Sequence, residues 1–130
     1  MGYRSDVMCI MYAARSDGTV DEAGMAFIKA WLKNRLNEDA LDLFDLNDDY
    51  MVVFEVDGWK WYESYDDIAM LDKLFADFIE ICDEGDNNYH LEFIRIGEDY
   101  TDIEVRESNH CQGWLRVNRS IHVDRVYLHK

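Results

Sequence analysis

The sequence predicts an α+β fold in which two helices cover one face of a mainly antiparallel sheet. Two segments carry apolar residues at helical spacing, and several shorter segments alternate apolar and polar residues as strands do. These segments follow one another in the order β-α-β-β-α-β, with extra strands at the C-terminal side. That order is the ferredoxin-like, split βαβ plan. A chain of 130 residues has the length of one domain, so we predict a single α+β domain over residues 1–130.

The first strand and the first helix are predicted from the opening third of the chain. Residues 3–13 carry apolar side chains on both faces, as a central strand does. Thr19 and Glu22 have the spacing of a capping box, in which two side chains satisfy free backbone N–H groups at a helix start. Apolar residues then recur at helical spacing as far as Leu32. An acidic connector with one short helical turn is expected to follow at residues 37–49.

A β-hairpin is predicted for residues 50–63. The dipeptide Asp57-Gly58 in its middle is the most typical two-residue hairpin turn. Such a turn would pair Phe54 with Trp61 and would also bring opposite charges together across the two strands.

The second long helix is predicted from residue 64 to residue 84. Ser64 and Asp67 resemble a capping box at its start, and Gly85 is a typical residue just beyond a helix end. Alternating patterns after it predict strands at residues 89–96, 100–106, 113–117 and 121–128.

Charge is the strongest signal in the composition. The net charge is −15, and residues 36–107 alone contain 23 acidic residues against four basic ones. A negative field of this size repels nucleic-acid phosphates and attracts basic surfaces, so we expect a basic protein as the partner and no direct binding of nucleic acid. Solubility alone is the competing explanation. The candidate partner-binding carboxylates are Asp42, Asp45, Asp48, Asp49, Asp66, Asp67, Glu98, Asp99, Asp102 and Glu104.

Four aromatic residues fall within seven positions, at Trp59, Trp61, Tyr62 and Tyr65. They are open to three interpretations. They can belong to the core and its rim, as most aromatic stripes do. They can form a contact surface for another protein, since Trp and Tyr are favoured interface residues. They can also stack against a small ring-bearing ligand such as a nucleotide.

No motif predicts catalysis, a metal site or a cofactor. His110 and Cys111 are neighbours, and neighbouring side chains of a strand point to opposite sides. The spacings that identify zinc sites do not occur, and a partial calcium-loop pattern has Tyr50 and Val56 where glycine and glutamate are required. Glycine-rich phosphate loops are also missing. We therefore predict a protein that is not an enzyme.

The sequence also predicts a cytoplasmic location. No apolar run approaches the roughly 20 residues that span a membrane, and the opening residues do not resemble a secretory signal. Cys9 and Cys82 lie within apolar patterns, and the total of three cysteines is odd. This fits reduced thiols better than a disulfide framework.

Three segments resemble small acidic proteins of tailed bacteriophages. They are MGYRSDV at residues 1–7, KWYESY at residues 60–65 and FIRIGE at residues 93–98. The resemblance implies an early or accessory viral protein that acts inside the bacterial host, and it implies no active site.

Charge and resemblance together favour a non-enzymatic inhibitor of a host nucleic-acid-handling or defence protein, of the anti-CRISPR or anti-restriction type. Its carboxylates would act as a DNA mimic in a basic groove that otherwise takes phosphates. One alternative is a binder or sponge for a nucleotide-like ligand on the aromatic cluster. Another is a structural or assembly protein that forms homo-oligomers, in which a basic segment with Arg116, Arg119 and Arg125 contacts the acidic middle of a second copy.

Overall fold

The computed structural model describes residues 3–85, 87–99, 101–117 and 121–123. The helices are α1 (Glu22–Arg35), α2 (Glu38–Leu41) and α3 (Asp66–Asp83). The strands are β1 (Ser5–Ala13), β2 (Phe44–Asp45), β3 (Val52–Trp59), β4 (Tyr89–Gly97), β5 (Ile103–Glu107), β6 (Leu115–Val117) and β7 (Ile121–Val123). Five strands form an antiparallel sheet in the order β2-β3-β1-β4-β5, and β6 pairs with β7 in a second sheet. The predicted α+β class with a mainly antiparallel sheet is confirmed.

β1 is the central strand of the five-stranded sheet. Eight of its nine residues are buried, which agrees with the apolar pattern on both of its faces. It pairs antiparallel with β3 on one side and with β4 on the other. β3 and β4 therefore run parallel to each other, and α3 connects them across β1. The ferredoxin-like order itself stays a prediction, because the second strand β2 has only two residues and lies outside the hairpin predicted at residues 50–63.

α3 covers one face of the sheet. Cys9 in β1 pairs with Phe54 in β3 and with Phe93 in β4, so these three side chains share a face. The Phe75 ring of α3 packs on them, with its centroid 5.5 Å from that of Phe54 and 5.7 Å from that of Phe93. These rings form the centre of the hydrophobic core.

α1 covers the same face beside α3. Ala13 lies four residues after Cys9 in β1 and points to the same side, and a Cβ placed on Gly24 would lie 2.6 Å from the Ala13 Cβ. The Trp31 ring of α1 lies 5.3 Å from the Phe78 ring of α3. Both long helices therefore pack on one face, as predicted.

The C-terminal segment covers the opposite face of the sheet. It is bound there by Glu92 of β4, which is only 3% exposed. The Tyr12 hydroxyl donates to one Glu92 oxygen, and the backbone N–H groups of Trp114 and Leu115 donate to this carboxylate at 3.2 and 3.0 Å. The Trp114 ring stacks on the Tyr12 ring with centroids 4.2 Å apart. A buried carboxylate thus attaches the residues before β6 to the sheet.

The predicted hairpin at Asp57-Gly58 is wrong. β3 continues through this dipeptide to Trp59, and its register against β1 shifts by one residue there. Gly58 has a φ of +67°, which is the conformation that a β-bulge of the glycine type requires. The Asp6 carboxylate accepts from the Gly58 N–H at 2.8 Å, and Arg4 donates to the Gly58 carbonyl at 2.7 Å. The dipeptide therefore forms a bulge near the end of β3 and does not reverse the direction of the chain.

The predicted capping box at Thr19 is also wrong. α1 begins at Glu22, and its N-cap is Asp21, whose carboxylate accepts from the Gly24 N–H at 3.0 Å. The Thr19 hydroxyl instead donates to the Asp17 carboxylate at 2.6 Å, within the turn that follows β1. Since Thr19 is already used in that turn, it cannot cap the helix.

The start of α3 differs from the prediction, whereas its end agrees. The helix begins at Asp66, and its N-cap Tyr65 makes no capping bond through its side chain. Asp67 accepts from the next backbone N–H, so it does not form a capping box with Ser64. Gly85 lies just beyond the helix with a φ of +65°, which confirms the predicted end.

The predicted strands after α3 all exist, although some are shorter than expected. β4 agrees closely with the strand predicted at residues 89–96, and β5 begins three residues later than the strand predicted at 100–106. β6 and β7 form their own small sheet. Residues 124–128 of the last predicted strand lie outside the described residues, as do Arg119 and Arg125.

Candidate functional site

Tyr3 joins two loops at the end of the sheet where β1 begins. Its hydroxyl donates to the Asp102 carboxylate at 2.7 Å and accepts from the Asp99 N–H at 2.9 Å, both in the β4–β5 turn. Its own N–H donates to the Tyr62 hydroxyl in the loop before α3. These bonds link segments 59 and 99 residues apart in the chain, so local sequence patterns give no signal for them.

A group of carboxylates lies in these two loops and in the adjoining ends of β3 and α3. Arg4 donates through its N–H to Glu98 at 2.8 Å and through its guanidinium to Gly58. The Tyr65 ring, which precedes the first turn of α3, lies 5.2 Å from the Tyr62 ring. We call the end of the molecule that these segments form the acidic end, and the carboxylates that they carry are Asp57, Glu63, Asp66, Asp67, Glu98, Asp99 and Asp102. All of them except Asp102 are exposed.

Two carboxylates of the acidic end are held firmly in the ionised state. The hydrogen bond from Arg95, at 2.8 Å, and the bond from Tyr3 lower the pKa of Asp102 to about 2. Hydrogen bonds from the backbone and hydroxyl of Thr101 lower the pKa of Asp99. The β4–β5 turn therefore keeps its negative charge well below neutral pH.

Five of the ten predicted carboxylates lie in the segments that form the acidic end: Asp66 and Asp67 at the start of α3, and Glu98, Asp99 and Asp102 in the β4–β5 turn. Glu104 adjoins the acidic end, because Arg95 pairs with both Asp102 and Glu104. The other four lie elsewhere: Asp42, Asp45, Asp48 and Asp49. Asp45 in β2 and Glu104 in β5 lie on opposite edges of the five-stranded sheet, roughly 19 Å apart at ordinary strand spacing. Glu104 is also paired with Arg95 at 3.0 Å. One continuous surface of all ten residues is therefore not formed.

Several of the predicted carboxylates stabilise turns. Asp45, Asp48 and Asp99 each accept from the backbone N–H two residues further on, at 2.9, 2.8 and 3.0 Å. Bonds of this kind fix a turn in the way that proline does elsewhere, and the chain has no proline. Some of the acidic residues therefore stabilise turns, a role that the net charge alone does not predict.

The predicted aromatic cluster is divided between core and surface. Trp61 is half-buried and packs against the core, with ring centroids 6.0 Å from Phe54 and 6.3 Å from Phe93. Trp59 is half-buried at the end of β3, and Tyr62 is half-buried below Tyr3. Tyr65 exposes 43% of its surface at the acidic end. The interpretation as core and rim therefore describes Trp59 and Trp61, and the contact interpretation suits Tyr62 and Tyr65.

The cysteines lack the environment of reactive thiols. Cys9 and Cys82 are free and buried, and burial raises the pKa of Cys82 to about 12. Burial also raises the pKa of Cys111, so all three favour the protonated thiol over the nucleophilic thiolate. In the described part of the chain, no three His, Cys, Asp or Glu side chains are grouped as metal ligands.

The described residues define the chain as an α+β protein with an antiparallel sheet and an acidic end that contains exposed tyrosine. None of the helices in the described ranges combines the length and apolar composition of a membrane span. Comparison with protein-family models, curated proteins and solved structures gave no match.

Proposed function

We propose that this chain is a non-enzymatic protein that binds the basic surface of a nucleic-acid-handling protein and thereby blocks access of nucleic acid. The observation that supports this proposal is the acidic end, where six of seven carboxylates are exposed. Carboxylates form charge-assisted hydrogen bonds with Arg and Lys, which are the residues that line nucleic-acid grooves.

The aromatic residues of the acidic end suit the same class of partner. Tyr3 and Tyr65 are 37% and 43% exposed, and they stand among the carboxylates. An Arg or Lys side chain that approaches this surface can meet a carboxylate and the face of a tyrosine ring together, which adds a cation–π contact.

The acidic end is also preorganised. Tyr3, Arg4 and Arg95 hold Asp102 and Glu98 through hydrogen bonds, and Thr101 holds Asp99. Side chains that are fixed before binding lose less conformational entropy when the partner arrives. A DNA mimic benefits from such rigidity, because the phosphates it replaces are also regularly placed.

The resemblance to phage accessory proteins supports a host partner. Under this proposal the partner is a bacterial nucleic-acid-handling or defence protein, such as a CRISPR effector or a restriction enzyme. The chain would act in the cytoplasm of the host.

The test is capture from a bacterial lysate by wild-type protein and by two variants with equal charge change. One variant carries Asp66→Lys, Asp67→Lys and Glu98→Lys at the acidic end. The control carries Glu38→Lys, Asp42→Lys and Asp49→Lys, all at exposed positions outside it. We expect wild type and control to capture a nucleic-acid-binding protein and to displace its nucleic acid, and we expect the first variant to fail.

Salt concentration provides the second readout of this experiment. Binding between opposite charges is screened, so capture should weaken steeply from low to moderate ionic strength. Capture that is equal for both variants, or that does not change with salt, would contradict the proposal.

The two alternatives remain predictions with less support. The nucleotide-like ligand is predicted to stack on Trp59, Trp61 and Tyr62, and the Trp61 ring already packs against Phe54 and Phe93. An assembly role through the basic C-terminal segment rests on Arg116, which is exposed, and on two arginines outside the described residues.

A further inference from the structure

β5 is an edge strand with an exposed apolar surface. It pairs with β4 on one side, and no strand of the described ranges pairs with its other side. Ile103 and Val105 are 45% and 56% exposed, and they project from the face of the sheet opposite the helices. An open edge of this kind can accept another strand.

The pairing with β4 determines which backbone groups of β5 are directed outward. The Gly97 N–H donates to the Asp102 carbonyl at 2.8 Å, just before β5 begins. The Ser108 N–H donates to the Leu91 carbonyl at 3.0 Å, just after β5 ends. In an antiparallel ladder, hydrogen-bonded pairs alternate with pairs that are not hydrogen-bonded. Even-numbered residues of β5 therefore bond to β4, and the N–H and C=O of Val105 point away from the sheet.

The charges of β5 select one register for pairing with a second copy of the same strand. Val105 stands between Glu104 and Arg106. A two-fold axis at Val105 places Glu104 opposite Arg106 of the second copy, so that both cross-strand pairs are attractive. An axis at Glu104 or at Arg106 would instead place two like charges directly opposite each other.

The register centred on Val105 also uses the outward backbone groups. The N–H and C=O of Val105 would each form a hydrogen bond with Val105 of the second copy, because both groups point away from β4. The exposed Val105 side chain would pack on Val105 of the second copy and leave water, and Ile103, opposite Glu107 of the second copy, would contact that Val105 diagonally.

Two ion pairs within each copy would be connected across the same contact. Arg95 holds Glu104 at 3.0 Å, and Asp72 holds Arg106 at 3.1 Å. With Arg106 of one copy beside Glu104 of the other, the charges alternate in sign from Asp72 through to Arg95 of the second copy. We propose that two copies of this chain associate through antiparallel pairing of their β5 edges, centred on Val105, into one continuous sheet.

The first test is the mass of the protein in solution, measured by sedimentation over a range of concentrations. We expect wild type to form a dimer as concentration rises. Because both copies are negatively charged, this dimer should strengthen with added salt, opposite to the salt effect expected for the basic partner. The two proposals can therefore fail independently.

Val105→Lys should abolish the dimer, since two ammonium groups would face each other across the axis. Met70→Lys is the matched control, because Met70 is an exposed apolar residue on α3, at 38% exposure. We expect the control to dimerise as wild type does. A monomeric wild type at every concentration and salt, or a dimer that Val105→Lys leaves intact, would overturn the proposal.

A disulfide test reports the register independently. In the proposed pairing the two Val105 Cα atoms lie about 5.5 Å apart, within disulfide reach, whereas the two Ile103 Cα atoms lie roughly 14 Å apart. Under copper–phenanthroline oxidation, Val105→Cys should form a covalent dimer, and Ile103→Cys and wild type should not. Failure of Val105→Cys to cross-link, or equal cross-linking of Ile103→Cys, would overturn this register.

Discussion

At the scale of single residues, Glu92 is the charged side chain on which the attachment of the C-terminal segment depends. It is buried on the sheet face opposite the helices and accepts from Tyr12, Trp114 and Leu115. A buried carboxylate is tolerated only when hydrogen bonds replace its water. In the sequence, Glu92 stands in an alternating strand pattern where a polar residue suggests an exposed side, so its burial could not be predicted.

We expect Glu92→Gln to lower the free energy of unfolding by about 1–3 kcal/mol. The glutamine amide offers one acceptor oxygen, and its NH₂ group would face a backbone N–H that then lacks a partner. Urea denaturation measures the change. Glu55→Gln is the control, because Glu55 lies on the same face of the sheet and is exposed. Equal losses for the two variants would contradict the role given to Glu92.

At the scale of secondary-structure elements, the dipeptide Asp57-Gly58 shows that one local sequence signal is compatible with two structures. A hairpin turn and a glycine-type bulge both need a residue with positive φ, and Asp-Gly satisfies both. The difference lies in the partner strand, which is β1 and not the residues that follow Trp59. Sequence pattern therefore identified the unusual backbone conformation but not its use.

Gly24 tests the close packing of α1 on β1. Alanine normally stabilises a helix by about 1 kcal/mol relative to glycine. At this position, however, a Cβ would lie 2.6 Å from the Ala13 Cβ and 2.8 Å from an Asp21 oxygen. We expect Gly24→Ala to lower the free energy of unfolding by about 1–3 kcal/mol through overpacking, as measured by thermal or urea denaturation.

The control for this element is Ala30→Gly, at an exposed position of the same helix. It should lose about 1 kcal/mol from helix propensity alone. An increase in stability for Gly24→Ala would show that α1 lies further from β1 than the structure has it.

At the scale of the whole molecule, the net charge of −15 is divided among several tasks. Some carboxylates fix turns, and Asp72, Asp77, Asp102 and Glu104 pair with basic residues. The acidic end gathers most of its charge on exposed side chains. Repulsion among the remaining charges opposes folding, and under the proposed function the charge at the acidic end is retained for binding a basic partner.

Acid titration separates specific ion pairs from this general repulsion. The pKa of Asp102 is about 2 in the folded protein, against roughly 3.9 in an unfolded chain. Its ionised form therefore contributes stability above about pH 4, and this contribution is lost as the pH falls towards 2. We expect Asp102→Asn to be less stable than wild type near neutral pH, with a difference that shrinks on acidification.

Measurement at each pH of wild type and variant side by side cancels the general repulsion that both share. Asp42→Asn is the control, because Asp42 is exposed and forms no ion pair within the described residues. A difference between Asp102→Asn and wild type that stays constant from about pH 5 to pH 2 would contradict the Arg95 pairing.

The sequence by itself determined the α+β class, the central position of β1, the buried stripe of α3 and the end of that helix at Gly85. These features depend on periodicity and turn chemistry within short segments. Only the tertiary structure decided that Gly58 forms a bulge, that Tyr3 joins two loops and that half of the predicted carboxylates share one end. Those outcomes depend on contacts between residues far apart in the chain, which no local pattern encodes.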